Sequence, residues 1–337
     1  MSHRSFHEAN ASVPMTDVRF RYGSDVWIIG TPHEGGVPPG PVGPLASSLR
    51  IVFARFWRFT MKITVLGSGD TRGLPKIGCA CPTCIDAKKT GFERKRFGLI
   101  VEHQGARLLV DASPDLRTQL LKHQLSPSDF DALLLTHEHF DHVAGLGEFF
   151  STGKALPVFG LSGTLSRVFS ETNYGYLLKS GCFQLFPTEF FKSFRIAGLD
   201  VLPLQIDHSI ETQGFLINGK VALLTDTRPH VFEETKKAIE GVPLLLTDGL
   251  FENEDQFLSF MKSIHKTSSP REPDKDLRTK KLNHVLIDQA QGLGKEVNAK
   301  LTVVLHVSHA CSVHSVLSNR YDSQRFQIGY DDLTLTV

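Results

Sequence analysis

The chain has 337 residues, of which 41% are hydrophobic and 22% charged, and its formal net charge is +1. That is enough apolar material for one large domain or two ordinary ones, and the near-neutral balance argues against a general polyanion binder. No run approaches the roughly 18 to 20 apolar residues of a membrane-spanning helix, and the opening lacks a charged-then-apolar secretory pattern, so a cytoplasmic protein without membrane association is expected.

Residues 1–60 hold six Arg, no Lys and four acids, and include the Gly/Pro run GTPHEGGVPPGPVGP over 30–44, which can continue neither a helix nor a central strand. They are expected to be a poorly ordered extension or a mis-called upstream start. The Arg-bearing, acid-free stretch 45–59 leaves an organelle-targeting segment as an alternative, which Glu8, Asp17, Asp25 and Glu34 speak against. Residues 61–337 read as the folded domain.

A strand is predicted over 62–66. Next come Cys79, Cys81 and Cys84 in GCACPTC, three thiols at metal-ligand spacing and one donor short of a tetrahedral zinc set. With only five cysteines in all, the cluster reads as metal-binding in a reducing compartment rather than as a disulfide framework. Strands are predicted over 98–103 and 107–110, a helix over 114–123, a strand over 131–135, and helices over 143–150 and 162–172. Strands over 199–204, 214–217 and 221–225 follow, then a helix over 229–239, a strand over 243–247 and a helix over 254–264. The polar stretch 265–283 reads as an exposed loop ahead of a helix over 284–296 and a strand over 301–305. Because strands come both in pairs and alternating with helices, the expected fold class is α/β with a mixed, helix-covered sheet system.

The run LLLTHEHFDHVAG at 133–145 carries the strongest chemical signal. An apolar strand ends in His137, His139, Asp141 and His142, so alternate side chains can point His137 and His139 at one metal while Asp141 and His142 face a second. Four metal-competent groups in six positions would be a costly concentration of polar atoms at a strand end unless a metal satisfied them.

This His-x-His-x-Asp-His run resembles the signature of the metallo-β-lactamase superfamily of binuclear metallohydrolases, and the resemblance extends over nearly all of residues 61–337. It implies a four-layer αβ/βα sandwich with the metals at strand ends. It also implies that Asp111 braces the metal loop, that His137, His139 and His208 hold one metal, and that Asp141, His142 and His306 hold the other. Asp226, after the strand VALLT, would bridge them as part of the catalytic centre, and a metal-bridging hydroxide would be the nucleophile. The expected catalytic metals are two divalent ions, zinc or manganese.

The Cys-x-Cys-x-x-Cys cluster is similar to that of a smaller group, the phosphoribosyl 1,2-cyclic phosphate phosphodiesterases. That resemblance implies a structural zinc held by Cys79, Cys81, Cys84 and His309, and it implies a catalytic role for His284 at a helix start. The substrate would be a small cyclic phosphate such as 5-phosphoribosyl 1,2-cyclic phosphate. Competing readings are an accessory protein of the pyrroloquinoline quinone biosynthesis type, which shares the cysteine cluster, an RNA-processing nuclease of the same superfamily, and a thioester hydrolase. The expected partner is a small phosphorylated molecule; nucleic acid is disfavoured, and a homodimer is left open. Arg72, Arg117 and the run Arg94, Lys95, Arg96 are candidate phosphate contacts, against a plainer reading as solvated surface charge. His103, His123, His230, His265 and His314 match no position of the signature.

Overall fold

The computed structural model describes residues 60–150, 153–265 and 283–337. The expected extension up to residue 59, and all but the ends of the polar stretch 265–283, lie outside the described residues.

Strands β1 (Met61–Gly67), β2 (Gly98–His103), β3 (Ala106–Val110), β4 (Ala132–Leu134), β5 (Leu156–Leu161) and β6 (Phe183–Thr188) form one sheet with β14 (Thr334–Thr336), in the order β14-β1-β2-β3-β4-β5-β6. A second seven-stranded sheet contains β7 (Phe194–Ile196), β8 (Leu199–Ile206), β9 (Thr212–Ile217), β10 (Val221–Leu224), β11 (Leu244–Asp248), β12 (Leu301–Leu305) and β13 (Phe326–Ile328), in the order β13-β12-β11-β10-β9-β8-β7. The sheets pack face to face. Ile63, Val65, Leu99, Val101, Leu108 and Val110 from the first meet Val201, Phe215, Ile217, Leu223, Leu246 and Val303 from the second in one buried core.

The period of two along each strand sends the intervening residues outward, where Ile100, Leu109, Leu133 and Val158 pack against helices on the outer face. Those helices include α2 (Leu116–Lys122) and α4 (Ser162–Val168). On the far side, Leu204, Ala222, Leu224 and Leu245 are covered by α6 (Glu233–Ala238) and α8 (Ile287–Glu296). Helix, sheet, sheet and helix make four layers, as expected of a metallo-β-lactamase sandwich. Central strands are thus buried on both faces, which is why they read as unbroken apolar runs such as LLL rather than as alternations.

Each sheet mixes antiparallel hairpins with a parallel half, β3-β4-β5-β6 in one and β10-β11-β12-β13 in the other. The carboxyl ends of parallel strands are where open α/β sheets gather ligands. Here three of those ends turn sharply. Asp111 after β3, Asp226 after β10 and His306 after β12 all take left-handed backbone angles, with φ of 58°, 56° and 56°. A non-glycine residue in that region costs about 1–2 kcal/mol, and such strain gathers at functional sites.

Helix boundaries differ from expectation at two informative places. The helix expected over 143–150 begins earlier, as α3 (Phe140–Val143), and tightens into a 3₁₀ segment over Ala144–Phe149. His284 does not start a helix: α8 begins at Ile287 with Leu286 as its N-cap.

Candidate metal centre

The loop after β4 carries His137, His139, Asp141 and His142, and Asp111 fixes its shape. The Asp111 carboxylate accepts hydrogen bonds from the Thr136 amide at 2.8 Å, the Thr136 hydroxyl at 2.8 Å and His142 Nδ1 at 2.7 Å. The single hydroxyl proton of Thr136 is spent on Asp111, so its oxygen accepts from His137 Nδ1 at 2.9 Å. His137 is thereby held as its Nδ1–H tautomer with its Nε2 lone pair toward the site interior. His142 turns Nε2 to Asp226 Oδ2 at 3.0 Å and, although burial opposes it, the charges of Asp226, Asp141 and Asp111 raise its pKa. On the same loop, Glu138 turns outward to a bidentate ion pair with Arg167 of α4.

His208, in the turn after β8, adds a third ring. His137 Nε2 and His208 Nε2 lie 2.9 and 3.2 Å from His139 Nδ1. Two nitrogens on one tetrahedral zinc, at bond lengths of 2.0–2.1 Å, would stand about 3.3 Å apart. Burial depresses the pKa of His137, His139 and His208, the last to about 4, so all three are neutral and available as ligands. Asp226 stays ionised: burial opposes it, but the neighbouring His306 and His142 hold its carboxyl well below the usual range.

The donor atoms fall into linked groups, each within 4.8 Å: His137, His139, His208 and Asp226; Asp141, His142 and His306; and Asp226, His284 and His306. Convergent lone pairs around a buried anion fit divalent cations. So do two buried ring nitrogens, His142 Nε2 and His306 Nδ1, which face the same Asp226 oxygen at 3.0 and 3.6 Å.

A fourth group contains Cys79, Cys81, Cys84 and His309. Cys81 is the N-cap of α1 (Pro82–Thr90), and its sulfur accepts the Cys84 amide. His309 Nδ1 lies 3.7 Å from both Cys79 Sγ and Cys81 Sγ, against about 3.6 Å for the S···N edge of a tetrahedral zinc site. Burial pushes the Cys84 thiol up to about 12, so thiolate there requires a neighbouring cation. All five cysteines are free.

His284 stands beside Asp226 and His306, and its Nδ1 donates to Asp248 Oδ2 at 2.9 Å. Burial lowers its pKa, but the Asp248 hydrogen bond and the charges of Asp226, Asp248 and Asp141 outweigh that and raise it to about 9. The structure thus brings together every residue named from the sequence as a candidate ligand. The candidate phosphate contacts fare otherwise. Arg94 is not surface charge: it is buried, donating to Ser68, Gly329 and His314. Arg96 is paired with Asp115, Arg117 with Glu148 and Lys95 with Glu93, while Arg72 lies beside Asp70 and over the Phe260 ring.

Sequence reasoning missed Asp248. A signal was present, because LLTD occurs twice, at 223–226 and 245–248, in adjacent parallel strands. It also missed Arg228 and Asn283, whose placement depends on chain reversals that no spacing reveals.

The family model described as beta-lactamase superfamily domain matches residues 106–307. The chain belongs to that superfamily. Among relatives of this superfamily member, an octanoyltransferase of Porphyromonas gingivalis is 28% identical over 261 residues, covering 75% of the chain and 47% of that protein. A coenzyme PQQ synthesis protein B of Methylobacterium nodulans is 40% identical over 97 residues, 26% of the chain and 32% of that protein. The chain therefore spans about half the length of the first and a third of the second. In fold it resembles the crystal structure of a diphosphatase from the PhnP family, with a TM-score of 0.66 at 23% identity, covering 83% of this chain and 98% of that one.

Proposed function

We propose that the chain is a metal-dependent phosphodiesterase acting on a small cyclic phosphate, such as 5-phosphoribosyl 1,2-cyclic phosphate. The observation that carries this reading is the placement of His284. It adjoins Asp226 and His306 but is not needed to complete either histidine-rich donor set, which leaves its ring available as an acid.

His137, His139, His208 and Asp226 would hold one divalent cation, and Asp141, His142 and His306, with Asp226 between, a second. Zinc suits these imidazole-rich sets, and manganese is the alternative. Bound there, such ions would supply Lewis acidity toward a phosphoryl oxygen and a water of lowered pKa. His284, with Nδ1 committed to Asp248, would donate a proton to the leaving ribose oxygen. Asp248 accepts from Nδ1 and so fixes the ring orientation in which that transfer occurs. The Cys79, Cys81, Cys84 and His309 set would hold a structural zinc of its own, apart from the two histidine-rich sets. Such a thiolate site would suit a reducing compartment such as the cytoplasm, and the fold likeness to a diphosphatase supports phosphoryl chemistry.

A second reading, a binding role in cofactor biosynthesis, is favoured by the 97-residue stretch that is 40% identical to a coenzyme PQQ synthesis protein B. One assay separates them. Metal-reconstituted protein is offered ribose 1,2-cyclic phosphate with and without a 5-phosphate, 2′,3′-cyclic nucleotides, bis(p-nitrophenyl) phosphate, an RNA fragment and a thioester. Turnover greatest on a small cyclic phosphate is expected; no phosphodiester turnover with any divalent metal would sink the phosphodiesterase reading.

A further inference from the structure

One guanidinium joins three segments, each of which carries a residue of the site. Arg228 lies two residues past Asp226, Asp207 precedes His208, and Asn283 precedes His284. Arg228 Nη1 donates to Asp207 Oδ1 at 3.1 Å, and the Arg228 amide donates to the Asp207 carbonyl at 2.7 Å. On another edge of the same group, Nε and Nη2 both reach Asn283 Oδ1, at 3.3 and 3.1 Å.

The consequence runs through the Asn283 main chain. Its carbonyl lies 3.2 Å from His208 Nδ1. A carbonyl only accepts, so Nδ1 carries the ring proton and Nε2 presents its lone pair toward His139. Asp111 likewise accepts the Nδ1 proton of His142. For His208 the acceptor belongs to an exposed residue with no secondary structure of its own, so something must hold it still.

We propose that Arg228 is a positioning residue: its fork on Asn283 fixes the carbonyl that selects the His208 tautomer and, through the next peptide, sets where His284 stands. The effect on turnover rests on the phosphodiesterase reading, whereas the effect on ion binding does not. A simple surface ion pair with Asp207 would be worth about 0–1 kcal/mol and would not depend on Asn283.

The test is Co²⁺ titration of metal-free protein followed by absorbance, in which sulfur-to-cobalt bands report the cysteine set separately from the histidine set. Partners that orient a ligating histidine typically affect metal affinity about 10–100-fold. Arg228→Ala and Asn283→Ala are each expected to weaken binding at the histidine set by that factor and to leave the cysteine set unchanged. The double variant should be no weaker than Arg228→Ala alone. Asn283→Asp, which keeps an acceptor for the fork, should bind at least as well as the unaltered protein, and Arg228→Lys, which keeps only the charge, should fall with Arg228→Ala. Because Asn283 is exposed, its variants keep the fold. Unaltered Co²⁺ affinity in Asn283→Ala, or losses that multiply in the double variant, overturns the proposal. Unaltered protein that binds Co²⁺ but turns over no phosphodiester would count against the proposed function and leave this inference standing. Given turnover, kcat should fall in Arg228→Ala with KM unchanged, the split expected of a residue that acts through His208 and His284.

Discussion

Nδ1 of His284 lies 2.9 Å from Oδ2 of Asp248, a carboxylate wholly removed from solvent. General acid catalysis by a positioned histidine is worth about 10²–10⁴-fold. His284→Ala is expected to lose that much turnover while its metal content stays full. Asp248→Asn is the sharper variant, because an amide can offer its own N–H to Nδ1 and so favour the other tautomer. A comparable fall in kcat is expected, with metal content measured by elemental analysis as the control. Unchanged kcat in Asp248→Asn would remove the pair from the mechanism.

The cysteine and histidine sets should come apart under mutation. His309→Ala is expected to lose about one equivalent of zinc and much of the thermal stability, since removing one ligand opens a closed tetrahedral site. His137→Ala should lose activity and keep that equivalent. Zinc retained in His309→Ala would mean that the fourth ligand lies elsewhere.

His314 gives the fold a pH dependence of definite sign. Arg94 Nη2 stands 3.1 Å from His314 Nδ1, and a guanidinium can only donate, so that nitrogen must accept and the ring is neutral. Burial, with the Arg94 charge adding to it, lowers its pKa from 6.5 to about 4. Between those values the unfolded chain binds a proton that the folded protein refuses, so stability falls as pH drops from about 6.5 to about 4. His314→Gln keeps an acceptor for Arg94 and cannot titrate. Urea unfolding at several pH values should show a shallower acid loss in the variant; identical slopes would contradict the assignment.

Gly145 closes the metal loop against the turn after β3. A Cβ there would lie 2.2 Å from the Ser113 carbonyl oxygen and 2.8 Å from Leu116 Cβ, and neither neighbour is the far end of a flexible chain. Gly145→Ala should therefore cost about 1–3 kcal/mol of overpacking, measured by urea unfolding. A variant as stable as the parent would show that this turn can shift.

What the sequence made legible was what repeats along a strand. The apolar run 301–305 coincides with β12, and 98–103 with β2, because strands buried on both faces need no alternation to betray them. β6 was hidden by Pro187, tolerated because β6 is an edge strand whose outer side needs no ladder partner. α1 was hidden by its start: Cys81 caps it with a sulfur, and Pro82 opens it. In the site, residues adjacent to a signature were visible and those that act through space were not. Asp248 and Asn283 earn their places from parallel pairing and chain return, which are properties of the assembled sheets.

The left-handed turns at Asp111, Asp226 and His306 link the site to the ends of the ladders that hold it. A strand end that frays is free to relax to an ordinary conformation, and relaxation swings its side chain away from the common centre. Strand ends open at lower free energy than the core between the sheets. Warming should accordingly disperse the donors while the two sheets are still intact, so the thermal limit of this protein as a metal binder lies below its melting temperature as a fold.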